Sequence, residues 1–383
     1  MGTILHTATA WAGLAVLSAS ACLAAQQPEQ PPPGRWDIRS SGFMISGWGG
    51  PSDETTAAAF VDAGFNTVMA NTAQLELCRA HGLRAILFDA TPEFAAAHRG
   101  DGAVWGYYVQ DEPRAEEFAQ AGARLAAFQT ADPTHPGYIN LMAHMNLDEY
   151  FRTVSAWFLS YDYYQWWWGP QGQFDRLGAH RAAALKAGVP LICWVEANAD
   201  KRYERGEAGA GYLPDNAVKL RQSVYGALAY GVKGIQWFTT ELALDKTGKL
   251  TESGADVATI NKELAVLGPV LVGLRSTGVW HTTPVPAGTE ELPAGGRIAT
   301  QCEALAIGSF VDDADGAEYV MVVNTSIEKP AGVSLSLSQV SDSVDELDRE
   351  AGEWRTLAAA GPEHVAKAEL TLAPGDGALL RIR

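Results

Sequence analysis

Four segments of the chain repeat one local pattern that leaves few folds open: Asp62-Ala-Gly-Phe-Asn-Thr-Val68, Ala80-His-Gly-Leu-Arg-Ala-Ile86, Lys186-Ala-Gly-Val-Pro-Leu-Ile192 and Ala229-Tyr-Gly-Val-Lys-Gly-Ile235. In each, an alanine-rich helical stretch runs into a glycine and then, with no spacer, into a hydrophobic strand. Gly64, Gly82, Gly188 and Gly231 suit the left-handed residue that closes a helix, where a Cβ would clash. A helix followed at once by a buried strand is the αβ turn of a parallel α/β protein.

The same pattern places eight strands, near Phe43 to Gly47, Asn66 to Ala70, Arg84 to Asp89, Val104 to Gln110, Gly137 to Leu141, Phe158 to Tyr163, Leu191 to Glu196 and Gly234 to Thr239. Helices fall between them, including Ala115 to Thr130, Arg176 to Ala187, Asn216 to Tyr230 and Asp256 to Leu267. Eight alternations in about 230 residues predict a (β/α)8 TIM barrel over 39–272. A doubly wound sheet is the alternative, but no Gly-x-Gly-x-x-Gly turn follows an early strand. After Pro269 the texture changes to short alternating runs such as Tyr319-Val-Met-Val-Val323, Val333-Ser-Leu-Ser-Leu337 and Ala378-Leu-Leu-Arg-Ile382. They predict a small C-terminal antiparallel β-sandwich domain over 273–383, whose commoner role is packing against the barrel and whose rarer one is glycan binding.

The first residues stand apart. Leu14 to Ala25 is apolar and rich in small residues, and Gln26 to Pro33 is polar and proline-rich. This predicts a signal peptide over 1–25, a linker over 26–38 and export to the periplasm or the extracellular space, with lipid anchoring through Cys22 as the lesser option. The run is too short to span a membrane as a helix. A net charge of -17 with no basic stripe excludes nucleic acid and anionic membranes as partners. Cys78, Cys193 and Cys302 show no metal-ligand spacing, so neither a metal nor an organic cofactor is expected, and apolar surroundings favour free thiols over a disulfide.

Chemistry is concentrated at two strand ends. Val104-Trp-Gly-Tyr-Tyr-Val-Gln-Asp-Glu-Pro113 is an apolar run that stops on two carboxylates, and Pro190-Leu-Ile-Cys-Trp-Val-Glu196 stops on one. Catalytic groups of such barrels sit at the C-terminal strand ends, so Glu112 and Glu196 are placed to close on one substrate, as glycoside hydrolysis requires. Plain alternatives exist: Asp111 as a helix N-cap, and Glu196 as a partner of Lys201 or Arg202. Trp48, Asp89, Asn140, Tyr161, Asp162, Trp194 and Trp237 also lie at or near strand ends and mix flat apolar faces with hydrogen-bonding groups, a wall suited to sugar. Trp166, Trp167 and Trp168 cannot all face one core, so at least one stacks on a sugar ring or a neighbouring loop. Glu241 and then Asp162 are the replacement nucleophiles if Glu196 points away. His81 reads as a helix-end interaction, and His144 alone is weak evidence.

With its acidic strand ends in positions four and seven, the chain resembles the retaining glycoside hydrolases of clan A, over roughly residues 40 to 270. The resemblance implies that Glu112, in Asp111-Glu112-Pro113, is the acid/base after strand four, where the clan often has Asn-Glu-Pro, and that Glu196 is the nucleophile after strand seven. Asp111 departs from the clan's asparagine. It can accept a bond from a sugar hydroxyl but cannot donate one, and its charge raises the pKa of a neighbouring carboxyl. The expected activity is hydrolysis of β-linked poly- or oligosaccharides. A non-catalytic glycan-binding barrel and a carbohydrate-active lyase or transglycosylase are the alternatives.

Overall fold

The computed structural model of the protein describes residues 34–383; the signal segment expected over 1–25, Cys22 and most of the 26–38 linker lie outside the described residues. Eight parallel strands follow: β1 (Met44–Gly47), β2 (Thr67–Ala70), β3 (Arg84–Leu87), β4 (Val104–Asp111), β5 (Gly137–Met142), β6 (Leu159–Asp162), β7 (Leu191–Glu196) and β8 (Gly234–Phe238). They form one sheet in the order β1-β8-β7-β6-β5-β4-β3-β2. These strands are buried along nearly their whole length, which is why each reads as an unbroken apolar run.

Asn66 closes the ring between β1 and β2. Its backbone N–H donates to the carbonyl of Ile45 (3.1 Å), its Oδ1 accepts the N–H of Ile45 (3.0 Å), and its Nδ2 donates to the carbonyl of Phe43 (2.9 Å). One side chain thereby supplies the pairing that the twisted strand ends cannot make for themselves.

All four turn glycines carry positive φ, from +66° at Gly188 to +83° at Gly231. At Gly188 the N–H reaches back to the carbonyls of Ala184 and Leu185, so the left-handed residue satisfies the end of the Gln173–Ala187 helix while turning the chain into β7. The later helices match their expected positions: Phe118–Ala131 (entered through a 3-10 turn at Ala115–Glu117), Asn216–Ala229 and Glu252–Leu271. The last runs longer at both ends, because Thr251 caps it by accepting the Gly254 N–H and Pro269 sits within its final turns. After β6, residues Gln165–Trp168 make a single helical turn. Among the described residues no helix is long and apolar enough to cross a membrane.

The C-terminal part is a sandwich of two antiparallel sheets. The larger has the order β15 (Trp354–Ala359), β14 (Ser343–Leu347), β17 (Gly377–Ile382), β12 (Glu318–Asn324), β11 (Leu305–Asp312), β9 (Leu274–His281); the smaller comprises β10 (Ile298–Ala299), β13 (Ala331–Leu337) and β16 (Ala366–Leu372). Alternation divides the larger sheet's side chains. Leu305, Ile307, Val320, Val322 and Leu380 face the smaller sheet, while Phe310, Met321, Val323 and Leu379 join the core of the barrel. Cys78 and Cys193 are buried free thiols and Cys302 is a half-buried one.

Candidate active site

A cleft of about 390 Å³ opens at the C-terminal ends of the barrel strands. Its acidic floor comes from β4 and β6: Asp111, Glu112 and Asp162, with Asn140 of β5 between them. Its walls are aromatic. Trp48 follows β1, Trp194 lies on β7 and Phe238 ends β8, while Tyr164, Trp167 and Trp168 arrive from the turn after β6. The β7 loop adds Tyr203 and Glu204, and the indole N–H of Trp168 donates to Glu204 Oε1 (2.8 Å). No lysine, arginine or histidine lines the cleft among the described residues.

The three floor carboxyls crowd one another. Glu112 carries a φ of +42°, a left-handed conformation uncommon outside glycine, and its N–H donates to the Asn140 carbonyl (2.9 Å). That turn departs from the strand direction just where the side chain enters the cleft, and strain of this kind gathers at functional sites. Asp162 is 4% exposed, and one of its carboxyl oxygens, Oδ1, has no hydrogen-bond partner. Burial, then a carboxyl-to-carboxyl hydrogen bond with Glu112, raises its pKa far above the ordinary carboxylate range. Asp162 holds its proton at neutral pH because ionising it in a dry site would place a second negative charge beside its acidic neighbours. Asp111 is also raised, by burial and then by the charge of Glu112, while the Asn140 amide opposes the rise. Asn140 Nδ2 lies 3.4 Å from Asp111 Oδ1, and the same amide also works against the rise at Asp162.

Of the residues singled out from sequence, Trp48, Asp111, Glu112, Asn140, Asp162 and Trp194 meet in this cleft. Asp111 ends β4 and makes no cap. Glu196 does not join them. It is fully buried, and its Oε1 accepts the N–H of Trp166 (2.8 Å) at the start of the Gln165–Trp168 turn. A free N–H at the start of a helical turn needs an acceptor, and this carboxylate supplies it from beneath the turn. In the cleft lining Glu112 stands with Asp111 and Asp162, and Glu196 lies behind it. Lys201 and Arg202 are not partners of Glu196 either, since Arg202 pairs with Asp200.

Three wall residues also lie elsewhere. Tyr161 is stacked on His180 at 3.8 Å, facing the helix layer. Trp237 is wholly buried and donates to Asn261 Oδ1 (2.8 Å) on the Glu252–Leu271 helix. Asp89 is exposed and accepts from the N–H of Thr72 (2.7 Å) and its hydroxyl (3.1 Å). Glu241 and His144 are exposed and outside the cleft lining, and His81 pairs with Glu54 (2.5 Å). Of the three consecutive indoles, Trp167 and Trp168 line the cleft, whereas Trp166 donates to the Lys219 carbonyl (3.0 Å).

Sequence reasoning did not single out Phe238, Thr239, Leu242, Tyr203 or Glu204. The available signal for Phe238 was strand alternation. Gln236 pairs with Trp194, which pairs with Asp162, so these three share a face and Trp237 must point the other way. Tyr203 and Glu204 sit in the long stretch between β7 and the Asn216–Ala229 helix, where no periodicity marks a direction.

No protein-family model matches this chain, and no curated protein does. Solved structures do. A GH27-β-L-arabinopyranosidase from Geobacillus stearothermophilus aligns with a TM-score of 0.52 at 11% identity, covering 91% of this chain and 99% of that one. A family 51 α-L-arabinofuranosidase from Bifidobacterium longum aligns at 0.44 and 11% identity, over 91% and 97% of the two chains. Xylanase 10B from Thermotoga maritima aligns at 0.40 and 9% identity, over 59% and 97%. The first of these establishes a shared fold.

Proposed function

We propose that the protein is a secreted glycoside hydrolase acting on uncharged glycans by a retaining mechanism, with Asp162 as proton donor and Asp111 as nucleophile. The observation that carries this reading is the carboxyl trio Asp111, Glu112 and Asp162 on the floor of an aromatic-walled cleft. Hydrolysis needs one carboxyl that keeps its proton and one that gives it up, and their unequal surroundings supply that difference. A retaining pair requires carboxyls roughly 5–5.5 Å apart, and Asp111 and Asp162, at the ends of β4 and β6 on either side of Asn140, are the pair we take to meet that requirement.

In the first step Asp162 gives its proton to the glycosidic oxygen as the bond to the anomeric carbon breaks, and the Asp111 carboxylate forms a bond to that carbon. The aglycone leaves as an alcohol. In the second step the ionised Asp162 takes a proton from water, the water oxygen bonds to the anomeric carbon, and the Asp111 ester bond breaks, restoring both groups. Glu112 keeps the proton on Asp162 between turnovers.

The substrate class follows from the lining. Flat indoles and phenols stack on sugar rings, and carboxylates accept hydroxyl hydrogen bonds. A uronate or sulfated sugar would meet three or four carboxylates and no cation, an unfavourable pairing in a low-dielectric cleft.

Neutral glycosides should therefore be hydrolysed and uronides should not. Asp162→Asn should lower kcat about 10²- to 10⁴-fold on alkyl-linked substrates and much less on aryl glycosides whose leaving group needs no proton. Asp111→Gly should be inactive and recover turnover with azide, giving a glycosyl azide of inverted configuration. Glycan binding without any release of reducing ends by the wild-type protein would instead establish a non-catalytic binding barrel.

A further inference from the structure

Beneath the carboxyl trio a chain of buried polar groups crosses four adjacent strands. Tyr138 of β5, Ser160 of β6, Trp194 of β7 and Gln236 of β8 are each at most 2% exposed. The indole N–H of Trp194 donates to the Tyr138 hydroxyl oxygen (2.8 Å), and so does the Gln236 amide (2.5 Å). An indole nitrogen can only donate. With both acceptor positions of the tyrosine oxygen filled, its own proton has one remaining partner, Ser160 Oγ at 2.8 Å. The serine proton then goes to Asn140 Oδ1 at 2.9 Å. The asparagine carbonyl is thus tied downward and its NH2 is left facing Asp111 and Asp162.

We infer that Ser160, backed by Tyr138, is a positioning residue: it fixes which end of the Asn140 amide is presented to the two reacting carboxyls. The inference rests on the hydrolase reading for its catalytic meaning, though not for its geometry. A serine here contributes neither volume nor apolar area that an alanine would lack, so its hydroxyl is kept at the cost of burying a polar group. The benefit is directional. An amide NH2 between two carboxyls favours the anion and bridges the pair; an amide reversed by 180° would point its oxygen at both and favour their protonated forms.

Other ionisable groups also face Asp111: Glu112 and Tyr108 on β4, Tyr138 on β5, Asp162 and Tyr164 on and after β6, and Tyr203 and Glu204 from the β7 loop. All are acidic groups that become negative on ionising. Besides the Tyr108 hydroxyl, the Asn140 amide is the donor that favours the Asp111 anion, and losing its orientation removes one of these two supports.

Two measurements test this. In Ser160→Ala, the Asp111 carboxyl, followed by carbon NMR of the labelled side chain, should titrate about one pH unit higher than in the wild type. The acid limb of the pH–kcat profile should move up with it and kcat should fall about tenfold at little change in KM. Ser160→Thr, which restores a hydroxyl, should recover most of both. In the wild-type protein the side-chain NH2 resonances of Asn140 should shift as Asp111 ionises. Unchanged titration of Asp111 in Ser160→Ala, or Asn140 resonances indifferent to pH, would overturn the inference. The NMR readouts need no turnover, so an absence of hydrolysis would count against the proposed function and not against the relay.

Discussion

A fully buried carboxyl is costly to keep ionised, and Glu196 is in that position. Burial pushes its pKa up to about 7, against its own backbone N–H and then that of Trp166, which favour the anion, and its second oxygen has no partner. The folded state therefore binds a proton more tightly than the unfolded chain between about pH 4.5 and 7. Stability from this group is complete below that window and is lost as pH rises through it. Glu196→Gln keeps an oxygen for Trp166 and removes the ionisation, so we expect the variant to melt at or above the wild type at pH 8 by roughly 1–3 kcal/mol and to differ least near pH 4. Its hydrolytic activity should stay within about threefold of wild type, because the side chain lies outside the cleft. Thermal melts and kcat on the two proteins check both statements. Loss of nearly all turnover would restore Glu196 as nucleophile and displace Asp111.

At the scale of elements, the strands and their order of appearance were legible because strands buried on both faces show as unbroken apolar runs and because a closing glycine marks four of the helix ends, at Gly64, Gly82, Gly188 and Gly231. Which side chain of a strand faces the cleft was less legible. Composition favours Tyr161 and Trp237 as sugar-binding groups, yet alternation fixed by the register with Trp194 turns both toward the helices and brings Asp162 and Phe238 inward. Glu196 shows a further limit. Its place under the Gln165–Trp168 turn depends on a loop that folds back over a strand end, and no local periodicity encodes such a contact. The β1–β2 seam likewise depends on a single side chain. Asn66→Ala removes bonds to the Ile45 N–H, the Phe43 carbonyl and the Thr67 hydroxyl (2.9 Å), groups that water can replace only in part because the site is half-buried. We expect a loss of about 1–3 kcal/mol, measured by denaturant unfolding, with an unchanged m-value if the barrel still closes.

For the whole molecule, the sandwich acts as an outer layer of the barrel. Phe310, Met321, Val323 and Leu379 lie against a core to which the Asn216–Ala229 helix contributes Leu220, Val224 and Leu228. Around this apolar contact runs an ion network. Arg349 of the sandwich pairs with Asp376 (2.6 Å), while Arg221 of the helix pairs with Glu263 (2.6 Å) and reaches Asp376 at 3.4 Å. Such a face exposed to water would be a large apolar patch, so the two parts are expected to unfold as one. Gly308 of β11 gives a direct test, since a Cβ there would stand 2.1 Å from the backbone carbonyl oxygen of Ala229. Neither backbone can yield without parting the layers, and the glycine φ is not in the left-handed region, so the effect of Gly308→Ala is steric alone. Overpacking of this kind typically costs about 1–3 kcal/mol. A calorimetric scan of Gly308→Ala should show one transition at lower temperature. If barrel and sandwich instead melt in two separate steps in the wild type, the shared core is not what couples them, and the sandwich is an appended domain.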